Sequence, residues 1–221
     1  MKEIKVCIFD LDGTLLDTLD GVTYYINSVF SDKGIEPITR DMTESFLGCG
    51  ARNLISRACA SRGVSDSSLI DAVFEEYNRR YNSDPYYLVR PYDGIPELIS
   101  ALRERGTRLA VLSNKPDFAT KKMIEHFFGE GFDCVVGGSE SYPLKPAPDA
   151  AIAILDSLGA APSECAFIGD AETDIETAQN LGAALSLTVL WGFRTREHLL
   201  SAGAKVLISS PGEILKHIDS Y

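Results

Sequence analysis

The sequence predicts an α/β fold, in which a parallel sheet is flanked by helices and one all-helical segment is inserted. Two observations support this prediction. Short apolar runs alternate with amphipathic segments along most of the chain, whereas residues 17–88 contain no convincing strand. Strands that alternate with helices imply right-handed crossovers and a parallel sheet. We therefore expect a core made of residues 1–16 and 89–221, and a helical domain made of residues 17–88.

The first strand and the helical segment follow from hydrophobic spacing. The run from Val6 to Phe9 is unbroken rather than alternating, which predicts a strand buried on both faces. Past Thr14, apolar residues recur at spacings of three and four, which predicts amphipathic helices. The predicted helices cover residues 18–33, 40–47, 51–61 and 67–81.

A turn at residues 91–94 (Pro-Tyr-Asp-Gly) restores the alternating pattern. A helix is predicted over 95–105, and Gly106 ends it. Four strand-and-helix units follow, and then a short edge strand and a further helix. The predicted strands cover 108–112, 132–136, 165–168, 185–190 and 206–208, and the helices between and after them cover 118–128, 149–158, 175–181, 196–202 and 211–218.

Composition and charge exclude several classes of protein. The chain has 221 residues, of which 45% are hydrophobic and 24% charged, as in soluble globular proteins. A net charge of −11 argues against nucleic-acid binding, which depends on Lys and Arg. We expect no membrane association and a cytoplasmic location, because no apolar run reaches the roughly 20 residues of a membrane span and no signal segment is evident. The five cysteines are never spaced as C-x-x-C, which predicts reduced thiols.

Reactive side chains follow the ends of the predicted strands. Because the carboxyl ends of parallel strands meet at one edge of a sheet, we expect these side chains to converge there. Random placement would scatter some of them to the other edge. They are Asp10 and Asp12 after the first strand, Ser113 after the second, Lys145 in the loop beyond the third, and Asp170 and Asp174 after the fourth.

This set of residue types suits phosphoryl transfer. Clustered carboxylates and a main-chain carbonyl supply the oxygen ligands that Mg²⁺ prefers. Asp10 could then attack phosphorus and form an acyl phosphate, while Lys145 and Ser113 contact the phosphoryl oxygens. Asp12 could protonate the leaving alkoxide and later activate water. Singly, each residue has a simpler explanation; Asp174, for example, could equally cap the helix that follows it.

Four motifs in this order resemble those of the haloacid dehalogenase-like phosphohydrolases, over essentially the whole chain. The resemblance implies a Rossmann-like core with a helical cap, which sets substrate specificity, inserted after the first strand. It also implies Mg²⁺ bound by Asp10, the main-chain carbonyl of Asp12 and Asp170, with Asp174 in support. We assign phosphate binding to Thr14, Ser113, Asn114 and Lys145. The motifs are residues 10–15 (Asp-Leu-Asp-Gly-Thr-Leu), 113–115 (Ser-Asn-Lys), 145–146 (Lys-Pro) and 169–174 (Gly-Asp-Ala-Glu-Thr-Asp).

Three further stretches bear on the substrate. Residues 91–94 and 191–194 (Trp-Gly-Phe-Arg) look most like the phosphoglycolate phosphatase branch of the family. Residues 48–52 resemble the cap loop that faces the active site in relatives, which makes Gly50 and Arg52 candidates for specificity. Arg52 could pair with a substrate carboxylate or a second phosphate. Equally, it could simply lie at the start of a surface helix.

The sequence thus predicts a Mg²⁺-dependent phosphatase that acts on a small phosphorylated metabolite through an aspartyl-phosphate. The lead substrate is 2-phosphoglycolate, and we expect a monomer or a homodimer. A hexose-phosphate mutase, similar to β-phosphoglucomutase, or a pyrophosphatase would need only a different cap. A phospho-acceptor signalling module is an alternative of another class, but the order of elements does not suit it.

Overall fold

The computed structural model describes residues 3–221 and confirms the α/β fold. A six-stranded sheet has the order β5-β4-β1-β6-β7-β8, and all its neighbouring strands are parallel. In chain order the strands are β1 (Val6–Phe9), β2 (Leu16–Asp17), β3 (Arg90–Pro91), β4 (Arg108–Pro116), β5 (Cys134–Gly138), β6 (Cys165–Gly169), β7 (Leu185–Val189) and β8 (Val206–Ile208).

Helices flank this sheet and form the inserted segment. Four of them lie between β2 and β3, and the other six follow β3. They are α1 (Leu19–Asp32), α2 (Arg40–Phe46), α3 (Ala51–Ala60), α4 (Ser67–Ser83), α5 (Ile95–Glu104), α6 (Asp117–Phe128), α7 (Asp149–Leu158), α8 (Glu172–Leu181), α9 (Arg196–Ser201) and α10 (Pro211–Asp219), with a short 3-10 helix at Pro162–Glu164.

The core is centred on β1, whose four residues are completely buried. The strand lies between β4 and β6, with Ile8 opposite Ala110 on one side and Phe167 on the other. Burial of one such aliphatic or aromatic side chain contributes about 1.5–3 kcal/mol. The unbroken apolar run therefore reflects a strand that is covered on both faces, as the sequence predicts.

The chain divides into two compact units. The first comprises the segment that ends at Asp17 together with Pro91–Tyr221, and the second is Thr18–Arg90. Within the second unit, α1 packs on α4. Tyr25 contacts Tyr81 edge-to-face with ring centroids 5.5 Å apart, and its hydroxyl donates to the carbonyl of Asp84 at 2.8 Å. The all-helical segment is thus stabilised by its own aromatic core.

Several elements differ from the prediction in their bounds, and three of them lie in the unit that contains the sheet and differ by two residues or more. Strand β4 continues to Pro116 instead of ending at residue 112, with a shift in register against β5 between Leu112 and Pro116. Strand β5 begins and ends two residues later than predicted, and α8 begins at Glu172 instead of residue 175. The extension of β4 buries polar residues, which a pattern based on hydrophobic residues cannot include.

Two predictions about the chain as a whole can be compared with the structure. All five cysteines are free thiols, as predicted. Within residues 3–221, no helix combines the length and the apolar character needed to cross a bilayer.

Candidate active site

The predicted reactive residues of the first unit converge at the carboxyl edge of the sheet. Asp10 follows β1, Asp170 follows β6, and Lys145 lies in the loop after β5. Strands β1 and β6 are neighbours, and Asp10 extends their ladder because its N–H donates to the carbonyl of Ile168 at 2.9 Å. The parallel sheet therefore brings together side chains that lie far apart in the sequence.

Lys145 is the cation at the centre of this cluster. Its side chain is 2% exposed, and its Nζ lies 2.8 Å from Oδ1 of Asp10 and 2.6 Å from Oδ1 of Asp174. Burial alone would lower the pKa of Lys145, but the two carboxylates raise it above its ordinary value. Lys145 is therefore protonated in this site.

Asn114 fixes the main chain of Lys145. Its Oδ1 accepts from the Lys145 N–H at 2.8 Å, and its Nδ2 donates to the Lys145 carbonyl at 3.1 Å. Both polar ends of this side chain thus bind the loop that carries the lysine. Direct phosphate binding by Asn114 stays a prediction, but these contacts give the residue a positioning role.

Asp174 has two roles, one local and one in the site. Its Oδ2 accepts from the N–H groups of Asp170 at 3.1 Å and Ala171 at 3.0 Å, which caps the start of α8. Its Oδ1 accepts from Lys145. The cap and the charge pair are therefore not alternatives. Gly169 makes room for this arrangement, since a Cβ there would overlap the Asp174 carboxyl group.

Asp170 is enclosed by main chain and by a hydroxyl. Its Oδ1 accepts from Oγ1 of Thr14 at 3.3 Å, and its Oδ2 accepts from the N–H of Phe193 at 2.7 Å. A Cβ at Gly13 or Gly192 would overlap this carboxylate. Burial, followed by the charges of Asp10 and Asp174, raises the pKa of Asp170 well above its ordinary value.

The cluster carries more negative than positive charge. Asp10, Asp170 and Asp174 offer carboxylate oxygens that all lie within 4.8 Å of one another. Burial raises the pKa of Asp10 to about 7, although Lys145 opposes this shift. Oδ1 of Asp10 is buried and, among the described residues, has no hydrogen-bond partner of good geometry besides the ion-pair contact to Lys145. A set of hard oxygen ligands with excess negative charge fits a divalent cation such as Mg²⁺. The assignment of the Asp12 carbonyl as a ligand stays a prediction.

Asp12 has a different partner, Lys115, which the sequence does not predict. Nζ of Lys115 lies 2.9 Å from Oδ1 and 3.1 Å from Oδ2 of Asp12. The Lys115 N–H donates to Oγ of Ser113 at 3.2 Å, so the predicted phosphate ligand also supports the strand. The pair joins residues that are 103 positions apart, and no local pattern signals it.

Residues 191–194, which the sequence marks only through the family resemblance, contact two segments of the site. The indole Nε1 of Trp191 donates to the carbonyl of Thr14 at 3.0 Å. Together with the N–H of Phe193, this contact holds the segments that carry Thr14 and Asp170. The resemblance was the only available signal, because the Phe193 contact uses a main-chain donor that any residue type offers.

The two specificity candidates lie in the helical unit. Gly50 precedes α3 with a φ of 82°. Arg52, in the first turn of α3, pairs with Asp71, and its guanidinium lies 5.0 Å from the ring centroid of Phe74. These contacts match the simpler explanation of Arg52, while its role toward a substrate stays a prediction.

Comparison with known proteins places this geometry in a family. The family model for haloacid dehalogenase-like hydrolases matches residues 7–187. The chain belongs to this family. As a haloacid dehalogenase-like hydrolase, it carries the acidic cluster at the carboxyl edge of a Rossmann-like sheet, and the predicted family is confirmed.

Relatives indicate that this hydrolase is a phosphatase. It is 32% identical over 206 residues to a phosphoglycolate phosphatase of Rhodospirillum rubrum, with 90% of this chain and 85% of the relative covered. It is 30% identical to an N-acetylmuramic acid 6-phosphate phosphatase of Pseudomonas aeruginosa, with 98% and 95% covered. A crystal structure from Lactobacillus delbrueckii subsp. bulgaricus, provisionally named a phosphoglycolate phosphatase, superimposes with a TM-score of 0.92 at 30% identity and covers 98% of both chains.

Proposed function

We propose that this protein is a Mg²⁺-dependent phosphatase that hydrolyses a small phosphorylated carboxylic acid, with 2-phosphoglycolate as the lead candidate, through an aspartyl-phosphate. The observation that carries the proposal is the buried contact of Lys145 with both Asp10 and Asp174 beside Asp170. This arrangement combines a nucleophile, a fixed cation and a set of metal ligands in one place.

Asp10, Asp170 and, through its main-chain carbonyl, Asp12 would hold the ion, with Asp174 in support. When bound, Mg²⁺ would offset the negative charge of the cluster and of the phosphoryl group. The buried Oδ1 of Asp10 and the raised pKa values of Asp10 and Asp170 fit this role, since both describe carboxylates that lack sufficient positive charge.

Phosphoryl transfer to the protein is the first step. A carboxylate oxygen of Asp10 forms a bond to phosphorus, and the bond between phosphorus and the ester oxygen breaks. The leaving alkoxide takes a proton from the carboxyl group of Asp12 and departs as an alcohol. Lys145, Ser113 and Thr14 provide donors for the phosphoryl oxygens.

Hydrolysis of the acyl phosphate completes the cycle. Asp12, now a carboxylate, takes a proton from a water molecule as the water oxygen attacks phosphorus. The bond between phosphorus and the Asp10 oxygen breaks, which releases phosphate and restores the Asp10 carboxylate. Asp12 is therefore restored to its protonated form as well.

The relatives narrow the substrate class. One acts on phosphoglycolate and another on N-acetylmuramic acid 6-phosphate, and both compounds are phosphate esters that also carry a carboxylate. A small phosphorylated carboxylic acid is thus the class that these relatives share. We assign the choice among such acids to residues 17–88 as a cap domain, with Gly50 and Arg52 as its candidate contacts. The cytoplasmic location and a monomer or homodimer complete the proposal.

Phosphate release from a panel of phosphorylated metabolites tests this function. We expect release to require Mg²⁺, to cease in EDTA, and to be fastest, by kcat/KM, for 2-phosphoglycolate or another phosphorylated carboxylic acid. Activity that persists in EDTA would contradict the metal requirement. Conversion of a hexose phosphate to its isomer without phosphate release would instead identify a mutase, and a stable phosphoprotein without turnover would identify a signalling module.

A further inference from the structure

Lys115 and Asp12 form a second lysine–aspartate pair, distinct from the cluster around Lys145. One ammonium contacts both oxygens of the carboxylate, at 2.9 Å and 3.1 Å. The side chain of Lys115 is 6% exposed and that of Asp12 is 17% exposed. The pair is therefore part of the wall of the site and not a solvent-exposed contact.

The main chain of Lys115 is held at both of its polar groups. Its N–H donates to Oγ of Ser113 at 3.2 Å, and its carbonyl accepts from Oγ1 of Thr120 at 3.2 Å. Lys115 lies near the end of β4, one residue before Pro116, which pairs with Gly138 of β5. In any rearrangement of the pair, we expect Asp12 to move more readily than the backbone of Lys115.

The observed pairing conflicts with the role of Asp12 as an acid and base. To protonate the leaving alkoxide, Asp12 must present an O–H to the ester oxygen, and to activate water it must accept from the water. Both of its oxygens already accept hydrogen bonds from Lys115. As the acid, Asp12 carries a proton on one of these oxygens, and a protonated oxygen is a poor acceptor from an ammonium. Asp12 therefore gives up at least one of these bonds when it acts as the acid.

Release of Asp12 has an electrostatic consequence for Lys115. The buried ammonium loses the carboxylate that compensates its charge, which is unfavourable in a site of low polarity. The carboxylates of Asp10 and Asp174 are already paired with Lys145. A second anionic group on the substrate, in addition to the phosphoryl group, would restore the lost compensation.

We propose that Lys115 determines specificity by binding a second anion of the substrate, and that this binding releases Asp12 for catalysis. The anion is a carboxylate in the lead candidate. An ester that lacks it leaves Asp12 bound to Lys115, and its leaving group is protonated poorly. This inference rests on the proposed function and adds to it a residue and a rule of substrate selection.

A matched pair of substrates tests the proposal. 2-Phosphoglycolate and ethyl phosphate differ in the carboxylate, so the ratio of their kcat/KM values measures its contribution. Lys115→Met removes the charge and keeps the length of the side chain, and Lys115→Arg keeps the charge. Lys121→Met is the control, since Lys121 is 58% exposed on α6 and pairs with Asp117.

We expect the ratio in the wild type to favour 2-phosphoglycolate and to fall by roughly 10- to 100-fold in Lys115→Met, the range for loss of a charged hydrogen bond. Activity on ethyl phosphate should rise, because Asp12 is no longer held. Lys115→Arg should keep most of the preference, and Lys121→Met all of it. Lys115→Gln replaces the methionine variant if circular dichroism shows that the latter is unfolded.

An unchanged ratio in the charge-removing variant would overturn the proposal, whether both activities fall equally or neither changes. A wild type that does not distinguish the two substrates would overturn it as well. If the protein is not a phosphatase at all, the result differs from both of these. In that case the wild type with Mg²⁺ would release no phosphate from any ester, including p-nitrophenyl phosphate, whose leaving group needs no protonation.

Discussion

The two units of this protein place their charges in contrasting environments. In the helical unit, Arg80 pairs with Glu76 and Asp32 through side chains that are 24%, 25% and 59% exposed. At the edge of the sheet, the side chains of Lys145 and Asp174 are 2% and 3% exposed. Exposed pairs contribute little to stability, whereas a buried excess of charge is unfavourable unless a ligand compensates it. The difference separates a buried cluster whose excess charge favours a bound ligand from more exposed pairs that contribute little to stability.

The largest expected effect comes from the buried cluster. Asp10→Asn removes the nucleophile with little change in volume, so phosphate release should fall by at least about 10³-fold. The variant also reduces the excess negative charge of the buried cluster, while Asp174 still pairs with Lys145, so its melting temperature in EDTA at pH 8 should be higher than that of the wild type. Steady-state assays and thermal unfolding measure the two effects. Near-normal turnover would exclude Asp10 as the nucleophile.

The stabilisation of the protein by Mg²⁺ should depend on pH. The pKa of Asp10 is raised to about 7 and that of Asp170 is also raised, so the folded, metal-free protein holds protons that the unfolded chain releases near pH 4. Its stability should therefore fall as the pH rises from about 4 toward 7 and above. Mg²⁺ requires the ionised carboxylates, so it should stabilise the protein more at pH 8 than at pH 5.5.

Thermal unfolding with Mg²⁺ or EDTA at these two pH values measures this linkage. At a concentration of 100 times Kd, the ion should add about 2.7 kcal/mol of stability. The shift should largely disappear in Asp170→Asn. An equal shift at both pH values, or one that survives this substitution, would show that Mg²⁺ binds elsewhere.

A smaller effect is expected from the residue that positions Lys145. Asn114→Ala removes both hydrogen bonds to the Lys145 main chain, and we expect kcat to fall roughly 10- to 100-fold. Asn180→Ala is a matched control. The Asn180 amide donates a single hydrogen bond, at 2.9 Å, to the carbonyl of Pro146, which is the residue after Lys145. The kcat of that variant should stay within about twofold of the wild-type value. Equal losses in both variants would indicate a general loosening of the loop.

The smallest effect should follow a change in the helical unit. Glu76→Gln weakens half-buried pairs with Arg79 and Arg80 on the surface of α4, and we expect no measurable change in kcat and only a slight decrease in melting temperature. The same assays as above apply. A loss of activity comparable to that of Asn114→Ala would contradict the contrast between the two units.

The sequence specified the fold and the members of the acidic cluster because both depend on patterns that recur along the chain. The unbroken run at Val6–Phe9 predicts a strand with the bounds that the structure has. The carboxylates that follow β1 and β6 meet because parallel strands share one edge. These predictions rest on apolar spacing and sheet topology, which local sequence encodes well.

Other parts of the site could not be predicted in this way. Strand β4 extends through Ser113, Asn114 and Lys115, which are buried because tertiary partners satisfy their polar groups. The contact between Lys115 and Asp12 depends on the alignment of β1 with β4, and the contact of Phe193 with Asp170 uses a main-chain N–H. Neither the residue types nor their spacing in the sequence predicts such contacts.

We expect Asp10 to carry the phosphoryl group, and trapping of the phosphorylated protein tests this most directly. In Asp12→Asn, an ester with a good leaving group such as p-nitrophenyl phosphate should still transfer its phosphoryl group, while hydrolysis of the acyl phosphate lacks its base. After acid quenching, mass spectrometry should locate one phosphoryl group on the peptide that contains Asp10. Phosphate on another residue, or continued release of phosphate with no phosphoprotein, would contradict the account.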